Sequence, residues 1–152
     1  MGSYIRLPSR EESGVGSVFT EIVVANKTDE TLAEAGHLSA ERVRSIRVSN
    51  VLVDTGATTL CLPRDLIAQL GLPLKRRITA TTASGEIETE LYEQAELTVA
   101  GRTGTVECVA LAEGSQPLLG VIPLEMLGLE PDLTKHMLRV LPADTKDSYF
   151  FV

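Results

Sequence analysis

The stretch Val51-Leu52-Val53-Asp54-Thr55-Gly56-Ala57-Thr58 decides the interpretation of this 152-residue chain. Strand-forming apolar residues end on a carboxylate that small and hydroxyl-bearing residues follow, a pattern typical of a buried strand that runs into a tight turn. An isolated carboxylate is costly to bury there. A second carboxylate facing it would be useful, because two acids that share one proton can activate water as a general acid/base pair. Since the chain has one such motif, we expect a second copy of the chain to supply the other acid.

The length and composition suit one domain with a modest core, since 43% of the residues are hydrophobic. Residues 1–16 are polar and show no sustained periodicity, so we predict a flexible N-terminal lead-in. The predicted domain covers residues 17–141. A polar C-terminal tail over residues 142–152 follows it.

The charge balance argues against nucleic-acid binding, because the formal net charge is -7 and the short run Lys75-Arg76-Arg77 is the one basic cluster. No stretch approaches the roughly 20 apolar residues of a membrane span. The amino terminus has no charged-then-apolar secretory pattern. We therefore expect a cytoplasmic protein that binds neither nucleic acid nor membrane.

The cysteines and histidines favour no cofactor. Cys61 and Cys108 are isolated in apolar, strand-like surroundings, which predicts buried reduced thiols, with a disulfide or redox switch as the alternative. His37 and His136 are far apart and no other ligand lies near either at metal-binding spacing. We interpret them as surface residues and predict no metal site and no cofactor.

Short strands with regular turn signals dominate the rest of the pattern. A first strand over Val18 to Ala25 and a second over residues 43–53, with a bend or bulge at Ser49-Asn50, flank a long polar connection in which only a helical turn is expected. Short helices are predicted from Pro63 to a cap at Gly71 and from Pro123 to a cap at Gly128. Seven or eight strands with two short helices indicate an all-β, closed domain.

The order of these parts resembles the retropepsin-like aspartic proteases, in particular the single-domain bacterial and archaeal relatives of the retroviral enzymes. The resemblance rests on Asp54-Thr55-Gly56 after an apolar strand, on a polar hairpin around Ser84-Gly85, and on Leu118-Leu119-Gly120 before the second helix. The triplet alone is weak, but these elements in this order are much more specific. The resemblance implies an acid-protease closed barrel with one or two short helices, and an aspartic endopeptidase that cleaves peptides or proteins as a homodimer.

The resemblance also implies roles for the residues of the triplet loop. Asp54 would be the catalytic carboxylate of each subunit, and Thr55 would hydrogen-bond across the dimer axis. Gly56 would let the backbone approach the partner acid. Ala57 and Thr58 would complete the turn, with Thr58 as a candidate hydrogen-bond donor behind the acid.

Two further segments take their roles from the resemblance. A flap that closes over bound peptide corresponds here to Thr81, Thr82, Ala83, Ser84, Gly85 and Glu86. Gly120 matches the glycine of the second conserved segment, which packs behind the active loop. In retroviral members a basic and then a polar residue usually follow that glycine, whereas Val121 and Ile122 follow it here, so the dimer contacts must differ.

Two alternatives stay open. Asp54 could merely cap the turn after its strand, as Asp often does. The chain could also be a non-catalytic dimerisation or peptide-binding module that keeps the fold and the triplet. Leu52, Ile87 and Ile122 suggest apolar pockets that flank the cleavage point, although residues in such alternation are more often core.

Overall fold

The computed structural model describes residues 4–6, 16–82 and 84–142. Within them the chain forms ten strands and three α-helices. The strands are β1 (Tyr4–Arg6), β2 (Val18–Asn26), β3 (Ser45–Val53), β4 (Leu60–Pro63), β5 (Leu74–Thr82), β6 (Gly85–Val99), β7 (Arg102–Leu111), β8 (Leu118–Leu119), β9 (Leu129–Asp132) and β10 (Met137–Val140). The helices are α1 (Lys27–Glu34), α2 (Arg64–Leu70) and α3 (Val121–Leu127), and a single 3-10 turn covers Ala40–Arg42.

Six strands form a closed ring in the order β2-β3-β8-β4-β7-β6, because β6 pairs with both β7 and β2. Strands β5 and β1 continue from β6 as an arm outside the ring. Closing the ring pairs the strand edges that would otherwise be free to pair with other chains. The predicted all-β class with a sheet closed on itself is therefore confirmed.

Strand β3 delivers Asp54, and a bulge adjusts its course. The antiparallel pairing of β3 with β2 changes register once. Thr20 faces Val51 on one side of this register shift, and Ile22 faces Val48 on the other. One residue of β2 thus lies opposite Ser49 and Asn50 of β3. The bend or bulge predicted at these two residues is present as a bulge. Val51, Leu52 and Val53, which follow it, are all buried before the turn.

Apolar side chains pack into two clusters. The larger fills the ring and includes Val18, Val51, Leu60, Leu97 and Leu119, none of which exposes more than a trace of surface. The smaller lies beneath the β5–β6 hairpin, and we call it the flap-side cluster. Its members are Leu52, Ala57, Cys61, Ile78, Ala80, Leu91, Val109, Leu111 and Leu118.

Helix α1 was not predicted, because its sequence is polar and the buried residue in it is Asp29. The prediction of one or two short helices was therefore wrong, since the described residues contain three. The helix begins where the Asn26 side chain accepts a hydrogen bond from the Asp29 backbone at 2.9 Å. Arg44 then donates to both oxygens of the Asp29 carboxylate, at 2.8 and 3.0 Å. A network of polar contacts, instead of an apolar stripe, stabilises α1.

The termini also differ from expectation. Strand β1 lies inside the segment that we expected to be a lead-in without regular structure, and it pairs with β5. The predicted last strand over Met137 to Leu141 is present as β10, which pairs with β9 in a separate two-stranded sheet. The predictions for residues 1–3, 7–15 and 143–152 concern residues outside those that the structure describes.

Candidate active site

The parallel pairing of β3 with β8 places Asp54 next to the chain segment that contains Gly120. Val53 faces Leu119 in this pairing, and the Asp54 backbone N–H donates to the Leu119 carbonyl at 2.9 Å. Asp54 is the first residue after the buried end of β3 and is itself only partly buried. Its backbone is therefore held by the sheet while its carboxylate can meet solvent or substrate.

The turn after Asp54 orients the carboxylate. The Gly56 backbone N–H donates to Oδ1 of Asp54 at 2.7 Å, and the Ala57 N–H donates to the Asp54 carbonyl at 3.1 Å. A Cβ on residue 56 would lie 3.0 Å from that same Oδ1, so a side chain would crowd the acid. Thr55 is exposed and Ala57 is buried. The turn therefore holds one carboxylate oxygen and leaves the other free of this contact.

Gly120 fixes the triplet loop from behind. Its N–H donates to the Thr59 carbonyl at 3.1 Å, and the next two N–H groups donate to the carbonyls of Ala57 and Thr58 at 2.9 and 3.0 Å. A Cβ on Gly120 would lie 2.6 Å from three backbone atoms of Ala57 and Thr59. Real Cβ atoms essentially never approach so closely, so this position requires glycine. The position that the sequence singled out is thus in direct contact with the Asp54 turn.

Thr59, which sequence reasoning did not single out, is buried and its hydroxyl makes a partly buried hydrogen bond. Its Oγ1 donates to the Glu107 carbonyl at 2.8 Å, which ties the end of the loop to β7. Thr58 contributes its backbone carbonyl, which accepts the Ile122 N–H. Sequence reasoning missed Thr59 because the role of a hydroxyl just before a buried strand is recognised only once the neighbouring strand is known.

The two cysteines lie behind the loop and are not linked by a disulfide. Burial, and secondly the nearby Asp54 carboxylate, raise the pKa of Cys61 to about 12. Burial likewise raises the pKa of Cys108 well above its usual value. Both thiols are therefore protonated at neutral pH, which makes them poor nucleophiles. The prediction of buried, reduced thiols is confirmed.

A hairpin of β5 and β6 carries the predicted flap residues. Thr81 faces Glu86 and Thr82 faces Gly85 in the antiparallel register, and Ala83 lies outside the residues that the structure describes. Gly85 has a φ of +117°, which L-residues with side chains rarely adopt. The Thr82 hydroxyl donates to the Gly85 carbonyl at 2.7 Å and accepts the Ser84 N–H at 3.2 Å. The tip is thus a tight, hydrogen-bonded turn at the end of an exposed hairpin.

Side chains from α2 anchor the base of this hairpin. Arg64 donates to both carboxylate oxygens of Glu90 and to the Thr89 hydroxyl, each at 3.2 Å. The Thr89 hydroxyl is buried and donates to the Ala110 carbonyl at 2.6 Å. Sequence reasoning missed these residues, because Arg64 and Glu90 are 26 positions apart and carry no local signal.

The residues suggested as apolar pockets fall into two groups. Leu52 is 6% exposed and belongs to the flap-side cluster, so it is core. Ile87 on the hairpin and Ile122 on α3 are 41% and 49% exposed, which leaves both able to meet a ligand or a partner.

Both histidines are exposed, as predicted. Within residues 16–82 and 84–142, no group of three or more His, Cys, Asp or Glu side chains is arranged to hold a metal ion. In the part of the chain that the structure describes, no helix is long and apolar enough to cross a bilayer.

Comparison with known protein families identifies a family whose model matches this chain. The family model described as gag-polyprotein putative aspartyl protease matches residues 44–126, more than half of the chain. The match begins just before β3 and ends within α3, so it includes the Asp54 loop, the hairpin and Gly120. No curated protein matches the sequence. The chain therefore belongs to the gag-polyprotein aspartyl protease family, which confirms the predicted resemblance to retropepsin-like proteases.

Proposed function

We propose that this protein is an aspartic endopeptidase that works as a homodimer, with Asp54 of each subunit forming one half of a water-activating pair. The proposal rests chiefly on the Asp54 turn, in which a partly buried carboxylate at a strand end is oriented by the Gly56 N–H and locked from behind by Gly120. A residue that only capped a turn would not need a second segment packed against its loop at such short distances.

One carboxylate cannot serve as both acid and base in the same step. Two Asp54 side chains on a twofold axis would not both ionise readily, because like charges at close range repel each other. One then stays protonated while the other is charged. The two acids are equivalent by symmetry, so each can take either role as the substrate requires.

The reaction follows from this division of roles. The ionised carboxylate takes a proton from a water molecule as the water oxygen attacks the peptide carbonyl carbon. The protonated carboxylic acid donates a hydrogen bond to the carbonyl oxygen, where negative charge develops. When the C–N bond breaks, a proton passes to the leaving amine nitrogen and the pair regains its single shared proton. No covalent intermediate with the protein is needed.

The surface beside Thr55 supports pairing with a second copy. Thr55 is exposed at the edge of the turn and lines a cavity of about 500 Å³ together with residues of α3 and β9. On α3, Ile122 and Met126 are 49% and 50% exposed and lie four residues apart, on one face of the helix. An apolar face next to the catalytic loop suits a self-complementary contact across a twofold axis. It also accounts for the change from the charged and polar residues that retroviral members usually have after the glycine.

An extended peptide is the substrate that the hairpin suits best. Strands β5 and β6 can cover a peptide in the cleft, exclude bulk water and form strand-like backbone hydrogen bonds with it. Ile87 is exposed on this hairpin and favours apolar side chains next to the cleaved bond. The net charge of -7 disfavours strongly acidic peptides.

The test is a comparison of Asp54→Asn with Asp65→Asn. Asp65 is an exposed acid in the first turn of α2, so its variant controls for the loss of one negative charge. We expect Asp54→Asn to abolish cleavage of a peptide library at mildly acidic pH while folding and dimerisation persist, and Asp65→Asn to cleave like the parent protein. Cleavage that survives in Asp54→Asn would refute the mechanism. Peptide binding without any cleavage by the parent protein would instead favour the non-catalytic module.

A further inference from the structure

The N-terminal strand β1 lies on the flap hairpin. Its backbone pairs in parallel with β5, so that Tyr4 faces Thr79, Ile5 faces Ala80 and Arg6 faces Thr81. Thr81 is the first of the predicted flap residues and lies next to the tip turn. The chain's own N-terminal segment therefore forms a third strand at the end of the hairpin that is expected to cover substrate.

The edge that β1 occupies is the outer edge of β5. The other edge of β5 pairs with β6 from Leu74 to Thr82, so the outer edge is where another strand can add. A strand that adds to such an edge lies about 4.8 Å from its neighbour and forms main-chain hydrogen bonds with it. These bonds form whatever side chains the added strand carries. A peptide substrate that bound by strand addition would need the same backbone groups.

The covered part of β5 shares a buried cluster with the catalytic loop. Ala80, which faces Ile5, belongs to the flap-side cluster together with Ala57, three residues after Asp54. The segment that β1 covers therefore contributes to the same cluster as the loop, rather than belonging to a remote part of the hairpin. A peptide that paired with this edge would lie beside the strand that contributes Ala80 to that cluster.

The parallel direction of β1 is compatible with substrate binding. In a twofold dimer, two copies of a strand that lie perpendicular to the axis run in opposite directions, so a peptide bound along such β5 strands would run parallel to one copy and antiparallel to the other. A parallel strand on β5 therefore mimics one half of a bound substrate.

We propose that the N-terminal segment containing Tyr4–Arg6 is an intramolecular competitor that occupies the substrate edge of β5 and lowers the affinity of the site for peptides. This inference rests on the proposed function, since it assigns the occupant of the same cleft. The pairing involves three residues and so a few hydrogen bonds, each of modest net strength, which makes the competitor displaceable. Its attachment to the same chain gives it a high effective concentration despite that weakness.

The kinetic test compares the full chain with a form that begins at Gly16. An intramolecular competitor raises KM and leaves kcat unchanged, so removal of residues 1–15 is expected to lower KM for a peptide substrate about tenfold, with kcat within about twofold. Intact mass is measured before and after the assay to ensure that the full chain has not lost its N terminus.

A second variant guards against misfolding of the shortened chain. The full-length double variant Tyr4→Pro, Ile5→Pro removes two successive backbone N–H groups. Because successive N–H groups of a strand point to opposite sides, one of the two points to β5. The control, Glu12→Pro with Ser13→Pro, places the same two prolines in the N-terminal segment but outside β1. We expect the first variant, and not the control, to reproduce the lower KM.

A binding measurement separates this inference from the proposed function. In the Asp54→Asn background, a fluorescent peptide with the sequence of residues 1–12 should bind the shortened chain about tenfold more tightly than the full chain, as followed by fluorescence anisotropy. Equal binding to both forms, or a rise in KM on shortening, would overturn the inference. Absence of cleavage in every form would refute the proposed function, and the binding comparison would still decide whether β1 occupies a peptide site.

Discussion

Gly120→Ala tests whether the contact behind the Asp54 turn determines both stability and activity. The added Cβ would lie 2.6 Å from the Ala57 carbonyl oxygen and from the backbone N and O of Thr59. Because all three atoms belong to the backbone, the loop must move by at least about 0.4 Å to reach even a 3.0 Å contact. Three backbone hydrogen bonds from residues 120–122 to the loop would lengthen with that movement.

The expected cost follows from these contacts. Inserting a methyl group into a tightly packed site costs about 1–3 kcal/mol, and each weakened hydrogen bond adds up to about 1 kcal/mol. We therefore expect the free energy of unfolding to fall by about 3–5 kcal/mol. With a urea m-value of about 2 kcal/mol/M, the midpoint would fall by about 2 M. Peptidase activity should be lost even where the protein is still folded, because the loop that orients Asp54 has moved.

Gly104→Ala is the matched control for this prediction. Its added Cβ would also be crowded, but the nearest atom, at 2.8 Å, is the sulfur of Met126, a flexible side chain that is half exposed. We expect a stability loss below about 1 kcal/mol for Gly104→Ala. Urea unfolding followed by circular dichroism checks both variants, and peptide cleavage is compared between Gly120→Ala and the parent protein. A Gly120→Ala protein that is as stable as Gly104→Ala, or that cleaves peptide like the parent protein, would refute the packing argument.

Three other predictions concern the base of the hairpin, the polar network of α1 and the thiol of Cys61. Arg64→Met should release Glu90, and with it the hairpin base, from α2. Amide hydrogen exchange in β5 and β6 should then become faster, while the free energy of global unfolding changes by about 1 kcal/mol or less. Unchanged exchange would contradict the anchoring role. Hydrogen bonds from Arg44 lower the pKa of Asp29, so its stabilising contribution is complete above the ordinary Asp pKa and is lost as pH falls through the lowered value. The parent protein should therefore have a higher free energy of unfolding than Asp29→Asn at pH 6, and this difference should shrink as the pH falls below 4. Urea unfolding at a series of pH values measures it, and a difference that does not change with pH would contradict the prediction. The raised pKa of Cys61 predicts that iodoacetamide at pH 8 labels it only after unfolding, and rapid labelling of the native protein would show the thiol to be accessible.

Much of the site could be predicted from sequence because its signals are local. A run of apolar strand formers that ends on Asp54, the tight turn at Gly56, and glycine caps after both predicted helices each reflect the conformation of a few neighbouring residues. Gly71 and Gly128 do adopt the left-handed conformation that a helix cap of this kind requires, with φ of 61° and 67°.

The remainder depends on long-range contacts that leave no local pattern. Helix α1 was missed because a polar network around Asp29 stabilises it, and periodicity analysis detects only apolar stripes. Closure of the ring depends on β6 being long enough to pair with β7 and β2 as well as β5. Strand β1 has three residues and gains its order from β5, so its own sequence could not predict it.

The shared reaction centre is tested most directly by mixing subunits. Parent protein and Asp54→Asn are combined in varying proportions at constant total concentration, allowed to exchange subunits, and assayed for peptide cleavage. If each active unit needs Asp54 from both chains, activity falls with the square of the parent fraction, and an equal mixture retains about one quarter of the activity. A linear decline, with about one half of the activity in the equal mixture, would mean that each chain acts on its own and would contradict the dyad.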